Sequence, residues 1–286
     1  MDSQQAAIAA LRQPDRLRAL EQRAIADTTR PLAQALADAQ AAALNRWVRE
    51  TVGAQIPVHL ADFIDWVREL LRHAFQGKGK QAQAAAEQAA FTAAANSLQH
   101  ATALAAAMNG QPAPPTQPEI GPEAQQAAET IPAAIKEEQG HALALLTGAG
   151  LTAMGLAGLN AVFKRARRAV GRISLGMAVA IGSAAAHAAR LVARILGPGV
   201  RLLWVSEPGA CAACRAYAGH YIRPGGLFPG GLSLDPQRTV FATAIPGPPR
   251  HPWCRCGLIP WSPTWRLTGT PLPTLLRRNA RTNWRP

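Results

Sequence analysis

The chain has 286 residues, which allows one or two domains with substantial cores. Alanine dominates and aromatic residues make up only 5%, so the composition argues against one large globular core and favours long, thin helices. The formal net charge of +13 is unevenly spread. Residues 1–140 carry 12 Lys+Arg against 15 Asp+Glu, whereas residues 141–286 carry 18 against 2, so the second half would attract polyanions.

Residues 1–110 are predicted to form an N-terminal helical region. Pro14 is expected to interrupt the first helix, and Thr28-Thr29-Arg30-Pro31 to cap and start another after Asp27. Two apolar stripes at helical spacing follow, one before and one after Pro57, and the helices that carry them are expected to pack on each other or on neighbouring subunits. The stripes are Leu32, Leu36, Ala39, Ala43, Leu44, Trp47 and Val48, then Phe63, Trp66, Val67, Leu70, Leu71 and Phe75. An Ala/Gln helix is predicted over Gln81–Met108.

The Pro-rich segment 111–122 is predicted to be a linker and marks the main domain boundary. Residues 123–200 then form an Ala/Gly/Arg-rich helical region, which opens with a short acidic helix from Glu123 to about Glu138 that Pro132 interrupts and that ends at Gly140. Two uncharged runs follow, His141–Phe163 and Ile173–Ala189. Their length suits a membrane span, but their Gly and Ala content favours helices packed closely in water, so we do not expect a membrane partner.

Arginine accounts for nearly all the positive charge of the second half, where Glu207 and Asp235 are the two acidic residues. The region 262–286 is a basic tail in which Trp265 and Trp284 alternate with arginines. Such a tail can grip nucleic acid by charge and stacking, and a disordered tail docked on a partner explains it equally well. The candidate nucleic-acid contacts are Lys164, Arg165, Arg167, Arg168, Arg172, Arg277, Arg278 and Arg281.

All four cysteines lie in the region 201–261, in the motifs Cys211-Ala-Ala-Cys214 and His251-Pro-Trp-Cys254-Arg-Cys256. Two thiols with two residues between them can reach one tetrahedral ion, and the second motif completes the shell of a structural zinc. The five donors Cys211, Cys214, His251, Cys254 and Cys256 are one more than zinc needs, so which four bind is open. Disulfides between the clusters and free thiols are the alternatives, although the polar N-terminus predicts no signal peptide.

The region 201–261 is therefore predicted to be a small α+β module stapled by zinc, in a chain that is otherwise mostly α. Strands are expected at Leu202–Val205, at His220–Arg223 and over Thr239–Ile245, with Pro- and Gly-rich turns between them. His251 beside Cys254 could imitate a thiol nucleophile with its base. A zinc shell closed by four ligands leaves no position for water, however, so we expect no enzyme and no small-molecule substrate.

The module also resembles a known family. Trp204, the first cysteine pair, Gly219 and Phe228 precede the run Pro248–Cys256, and Leu258 and Pro260 follow it. This order is similar to the C-terminal module of phage minor head proteins, the head-morphogenesis family typified by the F protein of phage Mu. The ending Pro-Pro-x-His-Pro-x-Cys-Arg-Cys is the most specific part, and the likeness covers 172–261, less than a third of the chain.

The resemblance implies a structural virion protein inside the phage head near the portal, present in the host cytoplasm during assembly. It implies the portal protein and the major capsid or scaffolding protein as partners, a role in head assembly, and contact with packaged double-stranded DNA. Two other functions fit the residues. One is a zinc-dependent nucleic-acid-binding protein of non-phage origin, and the other is a membrane-active protein that acts through residues 141–189.

Overall fold

The computed structural model describes residues 1–51 and 56–282. Over these residues the chain is mostly helical, with a three-stranded sheet near the C-terminus, as the sequence predicted. The helices are α1 (Ser3–Glu50), α2 (Leu60–Phe75), α3 (Lys78–Asn109), α4 (Pro122–Glu129), α5 (Ile131–Leu145), α6 (Gly148–Met154), α7 (Leu156–Ala166), α8 (Arg168–Ile195), α9 (Ala212–Ala216) and α10 (Leu272–Thr282). The strands are β1 (Arg201–Val205), β2 (Tyr221–Ile222) and β3 (Gly257–Trp261).

Helix α1 runs without a break through Pro14 and Pro31, so the predicted interruptions at these prolines are wrong. Thr29 does not cap a new helix, because its hydroxyl donates a hydrogen bond to the Ile25 carbonyl one turn earlier in the same helix. Packing explains the continuity, because one face of α1 is buried on both sides of the prolines. Its buried residues include Ala6, Ala7, Ala10, Leu32, Leu36, Ala39, Ala43 and Trp47, whereas Val48 at the end of the predicted stripe is exposed. Burial of an amphipathic face outweighs the local cost of a proline.

Two further boundaries differ from the prediction. Gly140 lies inside α5, where a glycine costs only about 1 kcal/mol against alanine and does not end the helix. The interruption predicted at Pro132 is confirmed, since the break falls at Thr130 and Pro132 occupies the first turn of α5. Part of the basic tail, residues 272–282, forms the helix α10. This helix buries Leu272, Leu275 and Leu276 on one face. Trp284 and Arg285 lie outside the described residues.

The sheet has the order β2-β1-β3 and both pairings are antiparallel. The first two predicted strands are confirmed, but Thr239–Ile245 is not a strand and contributes only an isolated bridge between Phe228 and Ile245. The third strand is β3, which the sequence did not reveal because Pro260 lies within it. A proline is tolerated there because β3 is an edge strand, where one side of the backbone needs no ladder partner.

The chain divides into two compact units made of separated segments, whereas the sequence placed the boundary at the Pro-rich linker. Unit 1 comprises Met1–Arg23, Ala86–Ala127 and Met177–Pro286, and unit 2 comprises Ala24–Ala85 and Ala128–Gly176. Residues 112–121 have no helix or strand.

Unit 1 is built around the sheet, and the alternation of side chains along β1 separates two cores. Leu202 and Trp204 face the alanines of α8, and Trp204 also contacts Tyr217 and Phe228, each with ring centroids 5.1 Å apart. Leu203 and Val205 face the opposite side, where the other core forms. That core contains Ala6, Ala7 and Ala10 of α1, Leu104 and Met108 of α3, Ile259 and Trp261 of β3, and Leu272, Leu275 and Leu276 of α10.

Unit 2 is helical. The end of the α1 stripe contacts α2, where the ring of Trp47 meets the ring of Phe63 edge-on with centroids 5.4 Å apart. This contact confirms the expected pairing of the two well-patterned helices. Helix α5 packs on α2 and α7, and α6 packs on α2 and α7.

One helical stretch of the described chain, Leu156–Ile195, is long and apolar enough by length and composition to cross a membrane. However, 61% of its most apolar window is buried inside the protein, which is typical of a core helix. The membrane alternative therefore rests on composition alone.

Candidate metal centre

The first pair of cysteines lies at the start of α9. Cys211 has an extended backbone and is the N-cap of this helix, and its Sγ accepts a hydrogen bond from the backbone N–H of Cys214 at 3.5 Å. A cap and the third residue after it lie on the same side of the first helical turn. The two sulfurs therefore point into the same space, as the spacing predicted.

The second motif is held by side chains that the sequence did not single out. The Arg250 guanidinium donates from Nη2 to the carbonyls of Phe241 (2.6 Å) and Thr243 (2.7 Å) and lies over the ring of Tyr217. The His251 ring stacks on Phe241 with centroids 5.5 Å apart. His251 Nδ1 lies 2.6 Å from the Pro252 carbonyl, which can only accept, so Nδ1 carries the proton and Nε2 is free to bind a metal.

The two motifs meet at Cys214. His251 Nε2 lies 3.3 Å from the Sγ atoms of both Cys211 and Cys214, and Cys214 Sγ lies 3.7 Å from Cys254 Sγ. The donors form two triads, Cys211–Cys214–His251 and Cys214–Cys254–Cys256, and within each the donor atoms lie within 4.8 Å of one another. All four cysteines are free thiols, so the disulfide alternative does not hold in this structure. Both triads are close enough to hold a metal ion.

The centre is enclosed by apolar groups on its inner side. Cys214, Cys254 and Cys256 are buried in the same core as Trp204 and Phe228, whereas Cys211 and His251 are half-buried. Buried thiolates without a counter-charge are costly. A metal cation supplies that charge, and the half-buried donors leave it an entry path.

The electrostatics of the thiols follow from their mutual contacts. The hydrogen bond from Cys214 first, and contact with His251 after it, lower the pKa of Cys211 to about 4 against the opposing effect of burial. In return, the hydrogen bond to Cys211 raises the pKa of His251 to about 9. The pKa of Cys214 is raised, first by the hydrogen bond to Cys211 and then by those to Cys254 and Cys256. The cluster therefore shares protons between its donors, and a bound cation would displace them.

Two carboxylates complete the surroundings, and sequence reasoning missed both roles. Arg255, which lies between two candidate ligands, makes a bidentate ion pair with Glu21 of α1 at 2.8 and 3.0 Å. Glu207 is buried and accepts from Arg18 Nη2 at 2.5 Å and from the Arg255 backbone N–H at 3.4 Å. No local pattern could reveal Glu21, because 234 residues separate it from Arg255.

His220, on the segment that leads into β2, lies outside both triads. Burial lowers its pKa, and the charges of Arg277 and Arg281 on α10 add to the effect. This histidine is therefore a neutral neighbour of α10 and takes no part in the metal cluster.

The predicted basic residues fall into two separate groups. Those around the α7–α8 junction belong to unit 2, and part of their charge is neutralised there: Arg165 pairs with Glu138 at 3.0 Å, and Arg172 pairs with Glu137 at 3.1 Å. Lys164, Arg167 and Arg168 are exposed. The arginines of α10, which are Arg277, Arg278 and Arg281, are exposed in unit 1.

Comparison of the chain with protein-family models, with curated proteins and with solved structures finds no match.

Proposed function

We propose that this chain is a structural minor head protein of a phage, whose C-terminal module is held in shape by one zinc ion. The observation that carries the proposal is the meeting of both cysteine motifs at Cys214, with His251 Nε2 and the Cys254 sulfur in contact with it. These motifs are the same residues on which the resemblance to the head-morphogenesis family depends. The geometry supports the staple, and the resemblance supports the phage role.

Zinc is the metal that suits this donor set best. Thiolate and imidazole donors select zinc over magnesium or calcium, which prefer oxygen. In a tetrahedron with Zn–S bonds of about 2.3 Å, two sulfurs lie about 3.8 Å apart. The 3.7 Å between the sulfurs of Cys214 and Cys254 matches that edge. Cys214 belongs to both triads, which supports it as one of the four ligands.

A structural role follows from the closed shell. Four protein ligands leave no open position for water, so the ion would stabilise the module without activating a substrate. The nearby carboxylates of Glu21 and Glu207 are already paired with arginines, which supports a tie between α1 and the metal-binding loops. The zinc would hold the segments 206–220 and 246–256 together, and the two ion pairs would attach them to α1.

The location and partners come from the resemblance. The chain would lie inside the head near the portal, with the portal protein and the major capsid or scaffolding protein as partners. The arginine-rich half, with only Glu207 and Asp235 as acids, would contact packaged DNA through phosphates.

Deletion of the gene from the phage that carries it tests the head role. We expect a loss of DNA-filled heads that wild-type protein restores and Cys214→Ser does not, while His220→Ala, outside the triads, restores it. Normal particle yield without the gene would rule out a role in head assembly.

A nucleic-acid-binding protein of non-phage origin is the second candidate, and the surplus of arginine in residues 141–286 favours it. The two candidates differ in where the protein is found. Immunodetection in purified particles supports the head protein, and DNA binding by a protein absent from particles supports the alternative.

A further inference from the structure

Three arginines from three separate parts of unit 1 line one groove, an open cavity of about 540 Å³. Arg194 lies in the last turn of α8, Arg201 is the first residue of β1, and Arg223 follows β2. The remaining lining residues are Gly197, Pro198 and Pro224, so arginine supplies all the charge of the cavity wall.

The fold brings these side chains together for local reasons. The turn 197–199 links α8 directly to β1, which places Arg194 close to Arg201. In the β1–β2 pairing, Leu202 lies opposite Ile222 and Leu203 opposite Tyr221, so the same register places Arg223 opposite Arg201 at the end of the sheet. The groove therefore lies where one helix ends and two strands meet.

The guanidinium groups are free to bind an anion. Within residues 1–51 and 56–282, no carboxylate forms an ion pair with Arg194, Arg201 or Arg223. Arg201 is held by the backbone, since its Nη1 donates to the carbonyls of Pro198 (2.7 Å) and Val200 (3.3 Å). A guanidinium has five N–H donors, so Nε and Nη2 of Arg201 remain available for an anion.

The balance of charge favours an anion in spite of the helix end. The C-terminus of α8 contributes roughly half a negative charge to the groove, whereas the three arginines contribute three full positive charges. Arginine forks match phosphate oxygens in a bidentate manner. We propose that this groove, defined by Arg194, Arg201 and Arg223, binds the sugar–phosphate backbone of DNA.

A polymer fits the groove better than a single phosphate ion. Its volume is several times that of one small anion, and three separate forks suit the successive phosphates of a strand, which carries one negative charge for about every 3.4 Å of helix axis. This inference deepens the proposed contact with DNA and rests on it.

The test uses the full-length, zinc-loaded protein and a fluorescein-labelled 20-base-pair duplex, with binding followed by anisotropy over a range of KCl concentrations. The triple variant R194Q/R201Q/R223Q is compared with R12Q/R238Q/R266Q, which removes the same charge from exposed arginines of unit 1 outside the groove. We expect the groove variant to bind the duplex about tenfold more weakly, or weaker still. The slope of log K against log salt concentration should be smaller in magnitude by about 2–3. The control variant should change the affinity and the salt slope far less.

Circular dichroism establishes that each variant is folded. Should the triple variant fail to fold, R194Q/R223Q keeps the backbone-bonded Arg201 and should flatten the salt slope by about 2. Equal loss in the groove and control variants would overturn the groove and leave the DNA contact intact. Wild-type protein that does not bind the duplex at low salt would overturn both. Unchanged DNA binding together with lost binding to phosphatidylserine vesicles would assign the groove to a lipid surface and overturn the proposal.

Discussion

The ion pair between Arg255 and Glu21 attaches α1 to the loop that carries candidate metal ligands. Glu21 is 5% exposed and Arg255 is 22% exposed, and the pair joins α1 to the loop between two candidate ligands. Removing one partner of such a pair leaves a charge that is poorly solvated, which costs more than the pair itself contributes.

Glu21→Gln should therefore lower the free energy of unfolding by about 2 kcal/mol, less than for a fully buried pair because Arg255 is partly exposed. Urea unfolding measures the change. The control is Asp27→Asn, whose pair with Arg30 is exposed at 62% and 73%, and which should cost no more than ~0.5 kcal/mol. Equal effects of the two substitutions would show that the Glu21 pair is not a buried tie.

His100 on α3 gives a prediction on pH. Burial first, and the charge of Arg16 second, lower its pKa to about 4, and its Nε2 is buried without a hydrogen-bond partner in the described chain. The unfolded state, with a pKa near 6.5, binds the proton more readily. The stability due to neutral His100 is therefore fully present above pH 6.5 and is lost as the pH falls toward 4.

His100→Gln should lose less stability than the wild type between pH 7 and pH 4.5, with a difference of up to about 3 kcal/mol. Other groups titrate in both proteins and contribute equally to both. Urea midpoints of the two proteins are therefore measured at pH 7 and at pH 4.5, and the difference between their losses of stability is due to His100. Parallel loss of stability in both proteins would contradict the buried, neutral state.

At the scale of elements, the prolines of α1 show that local sequence signals can be overridden by packing against distant parts of the chain. Thr28-Thr29-Arg30-Pro31 has the composition of a helix start, and local chemistry alone supports that interpretation. The continuous helix depends on the buried stripe from Leu32 to Trp47, whose partner α2 follows later in the chain. Strand β3 was missed for a related reason, because its pairing with β1 outweighs Pro260.

Pro31→Ala tests the continuous helix. Pro31 is exposed and lies in the helix interior, where alanine would restore a backbone hydrogen bond and stabilise the protein by roughly 1–3 kcal/mol. Helix content by circular dichroism and the urea midpoint should both rise. A fall in stability would show that a helix starts at Pro31, as the local sequence indicates.

At the scale of the whole molecule, the sequence predicted that the donors of the candidate metal centre come together but not what surrounds them. The spacings Cys-x-x-Cys and His-x-x-Cys-x-Cys place donors on tight turns, and turn geometry is local. The supports from Arg250, Phe241 and Glu21 depend on contacts between distant segments, which no spacing encodes. The mostly helical class followed from alanine content, whereas the division into two units did not, because α1, α3 and α8 each contribute to both units.

The zinc content of the purified protein tests the staple most directly. Native mass spectrometry should find one zinc per chain in the wild type and in His220→Ala, and none in Cys214→Ser, because Cys214 is shared by both triads. Removal of zinc with a chelator should lower the melting temperature, since binding free energy contributes to folding. A wild-type protein that is folded, metal-free and indifferent to added zinc would contradict the account.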